Sequence, residues 1–466
     1  MTVMKREIEK REGHAGFRRY LAWLAEAHDH CEITLTGVLQ RNFASIWSMF
    51  SWSLWANIFQ LHPFQSVYSR ASKYFHSERL RRAFTFGSMY MGMSPFDAPG
   101  TYSLLQYTEL TEGIWYPTGG FHAVVAALVR IGERLGVKYR LNTLVCSVTT
   151  SADGKRATGV QLSSGETLLA DIVVVNADLV YAYSNLFKTR LTSKAQSSYV
   201  QSLSRREGSC SSISFYWSLS KKIPALHTHN IFLADSYRES FDAIFKRHSI
   251  PTELSFYVHV PSRIDPSASP PGTDAVVVLV PVGHILKART HSDFHQDWPS
   301  IISCARNNVI STIESRLSLP PNSFSPLIAH EIVNSPPTWE SAFNLDRGCI
   351  LGLSHSFFNV LAFRPGIRHK WLDACYFVGA STHPGTGVPI VLAGAKLAAE
   401  CIFQDVGSVV PGIGKVSLGR DRGIPPENGQ KETDRLRGPR VWLMSRLLLA
   451  LLCLFGIVVA VILGSW

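Results

Sequence analysis

An α/β fold followed by a carboxyl-terminal transmembrane helix is the architecture this sequence predicts, and three observations carry it. Helix-like and strand-like periods alternate between residues 121 and 178. Residues 373–400 read as a strand, a glycine-containing loop and a helix. Residues 447–464 form an uncharged apolar run, LLLALLCLFGIVVAVILG.

The chain opens with MTVMKREIEKREGHAGFRRYLAWL, whose charges exclude the apolar core of a signal peptide. His28-Asp29-His30-Cys31 has the side chains of a metal site. On a helix, however, neighbours one or two apart point in different directions, so a solvated helix end is expected there. Residues 42–61 carry no charge but hold three tryptophans and three phenylalanines among serines and asparagines. Trp favours the headgroup boundary, so a helix dipping into a membrane face ranks ahead of a core helix and of a true span.

A helix is expected from about Phe121 to Leu135, then a single strand in VKYRLNTLVCSV and a meander in TGVQLSSGETLLA. Ile172-Val173-Val174-Val175 suits a strand buried on both faces of a parallel sheet, and Asn176-Ala177-Asp178 would close it at the edge where ligands bind. From about Ser211 to Val282 strands dominate. Ile213, Phe215, Trp217 and Leu219 alternate onto one face. That face is either ordinary core or the roof of a cavity for a hydrocarbon.

Eighteen helical residues from Leu447 to Gly464 would span about 27 Å, close to the roughly 30 Å hydrocarbon core of a bilayer. Trp442 and Trp466 bracket the run, and Arg435, Arg437, Arg440 and Arg446 precede it. The positive-inside rule then places the bulk of the chain on the cytosolic side of a single-pass anchor. Residues 406–440, rich in Gly, Pro and charge, read as a linker. Gly412-Ile413-Gly414 within it lacks the preceding strand of a dinucleotide site.

The net charge of +11 is clustered at Lys5, Arg6, Lys10, Arg11, Arg18 and Arg19 and again from Lys415 to Arg446. Basic groups beside apolar sequence point to anionic lipid rather than nucleic acid, for which no binding motif is found. Eight cysteines without any C-x-x-C pair suggest neither zinc nor a disulfide framework, and the working face is expected in a reducing compartment.

The segment DACYFVGASTHPGTGVPIVLAGAKLAAE, residues 373–400, resembles the carboxyl-terminal flavin motif of the phytoene desaturase family. YFHSERLRRAFTFGSMYMGMSPFDAPGTYSLLQYTE, GIWYPTGGFHAVVAAL, VVVNADLVYAYSNLF and SCSSISFYWSLS follow the family in the same order, with the anchored fungal members fitting best. The resemblance implies an FAD-binding two-domain flavoprotein of the glutathione-reductase-like or amine-oxidase-like type. It divides the chain into a helical substrate- and membrane-facing region (1–120), an FAD-binding segment (121–190), a substrate-domain sheet with helices (191–345), a second FAD-binding segment (346–405), a basic linker (406–440) and the anchor (441–464).

The implied reaction introduces double bonds into phytoene, toward lycopene or 3,4-didehydrolycopene, by hydride transfer to FAD. No side chain accepts hydride, so a cofactor must. The resemblance implies that Gly387, Val388 and Pro389 begin a helix whose N–H groups meet reduced flavin, that Gly379 and Gly385 let backbone approach the ring, and that His383 has a positional role. It places Val145 toward the adenosine end and Asp178 nearby, though both are equally at home as scaffold. For the proton, Glu78 and Arg81 share a helix face, and a plain surface ion pair is an equal reading. A second dinucleotide site is not found, so NAD(P) is not expected. Partners implied are a lipid bilayer, phytoene and later carotenoid intermediates; a homo-oligomer is left open.

One departure matters. Family members open with a strand, a G-x-G-x-x-G turn and a helix for the pyrophosphate, and this chain begins with a segment resembling the family's interior. The expectation is an α/β fold lacking its first βαβ unit, with an exposed strand edge and an unfilled apolar face. On that reading a non-catalytic, membrane-anchored remnant or a mis-started gene stands as the alternative to an enzyme, with a saturase or amine-oxidase-like flavoenzyme as a third reading.

Overall fold

The computed structural model describes residues 1–50, 57–58, 60–187, 193–286 and 296–407, and the account below concerns the unit Met1–Val410. Its main helices are α1 (Thr2–Thr34), α2 (Val67–Tyr74), α3 (Glu78–Thr85), α4 (Gly120–Arg134), α5 (Lys194–Arg205), α6 (Tyr237–Phe245), α7 (Trp298–Arg316) and α8 (Val388–Asp405).

Helix α1 buries Tyr20, Trp23, Leu24, Ala27 and Cys31, a three-and-four spacing that makes one apolar stripe. The stripe packs on Phe75 and Phe84, whose rings stack at 4.6 Å. Glu12 of α1 accepts the backbone N–H groups of His76 and Ser77 at 2.8 and 2.6 Å, so a carboxylate sits at the amino terminus of α3. Burial alone would raise its pKa; the bonds from Ser77, His76 and Arg19 outweigh that and lower it. Farther along, Glu26 receives Arg70 and the Tyr74 hydroxyl.

His30 corrects the expectation of a solvated helix end. It is wholly buried, with Nδ1 bonded to Ser103 Oγ at 2.7 Å and Nε2 to the Gln60 carbonyl at 2.6 Å. His62 and Glu26 lie close enough to share an ion with it. Both ring nitrogens of His30 are already engaged, and the Arg70 cation occupies Glu26, so the group is a polar network tying α1 to the following loops.

Among the described residues, ten strands form three sheets. β1 (Val145–Thr150), β2 (Ala157–Leu162) and β3 (Thr167–Leu169) make an antiparallel meander. β4 (Val173–Val175) pairs in parallel with β10 (Cys375–Phe377). The largest sheet is antiparallel, in the order β6-β7-β8-β5-β9, from β5 (Ser211–Leu219), β6 (His229–Phe232), β7 (Phe256–His259), β8 (Asp274–Val282) and β9 (Ile328–Asn334). Ile213, Phe215, Trp217 and Leu219 do share the buried face, packed with Val276, Val278 and Val280 against Val309 and Ile313 of α7.

Two strand expectations change. Residues 137–144 are not part of the strand expected in VKYRLNTLVCSV, which begins only at Val145; Gly136 at φ +85° and Asn142 at φ +53° turn the chain there. The apolar run ending at Val175 pairs in parallel as expected, yet Val174 is 48% exposed, so the strand is buried on one face. Helix α4 also has an open side: Phe121, Val125, Leu128 and Ile131, one helical stripe, are each more than half exposed.

In the segment 42–61, the described part contains a single 3-10 turn, Ile46–Met49, with Phe43 and Leu61 buried and Trp47 exposed. Residues 51–56 and 59 lie outside the described residues, as does the expected anchor 441–464. No helix among the described residues is long and apolar enough to cross a membrane.

Candidate active site

β10 delivers the chain into the turn that leads to α8. Val378 donates its N–H to the Val175 carbonyl at 3.0 Å, so the parallel pairing runs to the lip of the turn. Three glycines then adopt positive φ: Gly379 at +106°, Gly385 at +138° and Gly387 at +101°. Side chains are excluded at two of them by contact as well as torsion. A Cβ on Gly379 would lie 2.6 Å from Asn176 Oδ1, and one on Gly385 2.4 Å from His355 Nε2. A Cβ on Gly387 would meet only Ile390, at 3.6 Å.

Helix α8 starts at Val388 with Pro389 in its first turn and Gly387 as an N-cap that has no side chain to offer. The first-turn N–H groups of such a helix have no intrahelical acceptor and favour negative charge. Val388 and Leu392 stand about half exposed beside them.

Two side chains hold the turn from behind. Arg364 is 2% exposed and donates to the carbonyls of Leu353, Ser354, Asn359, Ala380 and Thr382. Burial pulls its pKa down to about 10, still charged at neutral pH. His355, also buried, accepts the Thr386 N–H on Nε2 at 3.2 Å. Its burial holds the imidazole neutral, well below the usual histidine range.

His383 sits within the turn. Its Nε2 donates to the Arg41 carbonyl at 2.8 Å, and the Phe43 ring meets it edge-on at 5.2 Å. Burial pushes its pKa down to about 4. The remaining nitrogens, Nδ1 of His355 and Nδ1 of His383, are buried without a hydrogen-bond partner among the described residues. Since each imidazole is neutral, the first carries a proton and the second a lone pair.

These features fit the ring end of a flavin: backbone free of side chains at Gly387, an uncapped helix amino terminus, and orphaned polar atoms flanking the turn. For the pyrophosphate, no strand–G-x-G-x-x-G–helix unit is found among the described residues.

The expected residues fall into four places. Gly379, His383, Gly385, Gly387, Val388 and Pro389 form the one turn. Asp178 ends the β4 side, where its Oδ1 accepts the Tyr181 N–H at 3.0 Å and caps a helical turn; burial raises its pKa. Val145 packs against the cluster that holds Val173 and Val175. Glu78 and Arg81 lie elsewhere, at the start of α3: Glu78 takes the Tyr68 hydroxyl at 2.6 Å, Arg82 at 3.4 Å and Arg81 at 3.8 Å, and its side chain is 44% exposed. The pair belongs to a surface ion cluster and shares no hydrogen bond with the turn among the described residues. Arg364 and His355 were not foreseen; they precede Gly379 by 15 and 24 residues, too far for a local pattern to tie them to the turn.

The second face of the large sheet looks away from the main core. Register places Ile231, Tyr257, Leu279 and Ser214 in one cross-strand row, and His229, His259, Val277, Tyr216 and Ile332 in the next. Tyr257 donates to or accepts from His229 Nδ1 at 2.6 Å, and Tyr116 packs on His259 at 5.2 Å.

Residues 18–287 match the family model described as flavin containing amine oxidoreductase. The phytoene desaturase of Neurospora crassa is 60% identical over 87% of this chain and 67% of its own length. That of Cercospora nicotianae is 50% identical over 96% of this chain and 79% of its own. An oxidoreductase from Methanosarcina mazei shares the fold, with 14% identity and a TM-score of 0.52 over 76% of this chain and 74% of that one. Identity at this level favours an FAD-dependent enzyme over a non-catalytic remnant. The chain belongs to the flavin-containing amine oxidoreductase family, in the group formed by the phytoene desaturases.

Proposed function

We propose that this chain is an FAD-dependent oxidoreductase of carotenoid biosynthesis that desaturates phytoene, toward lycopene or 3,4-didehydrolycopene. The observation that carries the reading is the β10–α8 turn, where three positive-φ glycines bare the backbone at an uncapped helix end. FAD, when bound, supplies the two-electron acceptor that side chains lack. Gly387, Val388 and Pro389 present the helix amino terminus to the negative charge of the reduced ring. Arg364 and His355 hold that turn rigid from behind, so its N–H groups need no rearrangement as charge develops. The half-exposed Ile231, Tyr216 and Leu279 offer an apolar bed for a polyene and keep water from the reacting carbons.

Expressing residues 1–466 in phytoene-accumulating cells tests this directly. Coloured carotenoids in the extract, with flavin absorbance in the purified protein, are expected. A colourless extract from cells that contain the folded flavoprotein overturns the reading.

Residues 441–464 anchor the protein in a lipid bilayer with its catalytic part on the cytosolic side; the uncharged run and the arginines before it support this. The full chain should stay with membranes through carbonate extraction, and its release by carbonate would remove the anchor.

A further inference from the structure

The reaction removes a hydride from one carbon and a proton from its neighbour, and the turn described above provides for the first of these only. A group for the proton must stand on the apolar side where the polyene lies, be ionised before the step, and be free of a strong cation partner. Glu78 fails on the first and last counts, since it is exposed and clasped by Arg81 and Arg82.

Glu109 satisfies them. It lies on a continuous helical segment, Leu104–Tyr107 followed by Thr108–Glu112, that begins two residues after Tyr102. The Tyr102 hydroxyl donates to the carbonyl of His355 at 3.2 Å, and His355 grips Thr386 of the flavin turn. The segment therefore starts at the back of the turn and runs toward the second face of the large sheet. There the charge of the Glu109 carboxyl bears on the phenols of Tyr257, in β7, and Tyr90, in the 3-10 turn Phe86–Met91, adding to burial in raising the pKa of each. His229 and His259 lie farther along the same face, stacked at 5.0 Å. Glu109 makes no hydrogen bond or ion pair among the described residues. It is a half-buried carboxylate left without a cation on an apolar surface. Such groups are costly to the fold and occur where chemistry uses them.

We propose that Glu109 is the catalytic base of the desaturation, taking the proton from the carbon next to the one that loses hydride. This rests on the desaturase reading above. In the step the C–H bond breaks, its electron pair becomes the new π bond, and the proton passes to a carboxylate oxygen of Glu109. The hydride and its two electrons go to the oxidised flavin that the proposed activity supplies. The carboxylic acid then returns its proton to water before the next turnover. Burial raises the Glu109 pKa above the ordinary carboxylate range, which brings its basicity closer to the working pH.

The test uses the full chain, its flavin content, and phytoene turnover as a function of pH. Glu109→Gln keeps the shape and removes the base. It should retain wild-type flavin absorbance while turnover falls at least a hundredfold. The wild-type rate should drop on the acid side as Glu109 protonates, and that limb should be absent from the residual activity of E109Q. Glu109→Asp restores a carboxylate one methylene short and should recover part of the rate with an acid limb displaced from wild type. Turnover of E109Q within threefold of wild type, or an acid limb unchanged in it, overturns the assignment. Should E109Q not accumulate as a flavoprotein, E109D decides, and an unaltered rate and limb there count against the proposal. An inactive wild type would sink the desaturase reading itself, whereas an active wild type with an active E109Q sinks only this one.

Discussion

Thr386 gives its backbone N–H to Nε2 of His355 at 3.2 Å, and that bond decides where the imidazole proton sits. With Nε2 accepting and burial keeping the ring neutral, Nδ1 bears the hydrogen. The turn is thus held by a donor–acceptor pair that only a neutral histidine can complete.

Gly385 is where that arrangement is most easily broken. In Gly385→Ala the new Cβ falls 2.4 Å from His355 Nε2, on a backbone at φ +138° that L side chains avoid. We expect bound flavin to fall below a tenth of wild type and stability to drop by about 2 kcal/mol. Gly366→Ala, where nothing lies within 4 Å, should leave both unchanged. Flavin absorbance and thermal midpoints compare the pair; equal losses in the two would refute the contact argument.

Arg364→Lys probes the carbonyl cluster. Five carbonyls converge on a planar fork, and an ammonium has three donors with different geometry. Each buried carbonyl left unserved costs about 1–3 kcal/mol, so a loss of about 3 kcal/mol is expected in denaturant titrations. A change under 1 kcal/mol would mean the loop rearranges freely around the shorter set of bonds.

Asp274 supports the large sheet from its β8 end. It accepts Arg263 in a paired contact, the Ser262 hydroxyl at 3.0 Å and the Ile223 N–H at 2.8 Å, and is almost fully buried. Asp274→Asn leaves the guanidinium without its counter-charge, and about 3 kcal/mol should be lost. The measurement is the urea midpoint, and a wild-type value would show that the Arg263 side chain escapes to solvent.

Acid sensitivity follows from buried histidines, His355 among them. Burial depresses His284, His369 and His383 to about 4, whereas the unfolded chain protonates them near the ordinary value of about 6.5. Between these limits the unfolded state binds more protons, so stability rises with pH. It is complete above about 6.5, falls on acidification toward 4, and changes no further from this cause below that. Each histidine contributes about 1.4 kcal/mol per pH unit within the window. His369→Asn, which removes one titrating ring while keeping a side-chain acceptor for the N–H groups of Trp371 and Leu372, should reduce the slope by about a quarter or less. Denaturation midpoints from pH 4 to 7 decide it; an unchanged slope would place the acid sensitivity elsewhere.

What was legible in the sequence follows the strength of local periodicity. The alternation of Ile213, Phe215, Trp217 and Leu219 names its own buried face because a strand has a period of two. The helix beginning at Val388 is announced by Gly387 before it and Pro389 within its first turn. Tertiary effects were not legible. His30 looked solvated because its partners, Ser103 and Gln60, arrive from loops the local pattern does not contain. Arg364 reads as a surface charge in a Pro-Gly loop until five distant carbonyls surround it. Glu109 sits inside a quoted motif, yet its significance depends on Tyr257, brought to it by the sheet.

The β4–β10 pairing has a consequence for biosynthesis. β4 is complete at Val175, but its partner does not leave the ribosome until after Cys375, whereas the five-stranded sheet has all its strands once Asn334 is made. Domains fold in the order in which their pieces emerge. The five-stranded sheet therefore assembles first, and Val173 and Val175 wait through about two-fifths of translation with their apolar side chains uncovered, a natural target for chaperones. Helix α8 comes later still, so flavin is loaded onto a nearly finished polypeptide rather than onto a growing one.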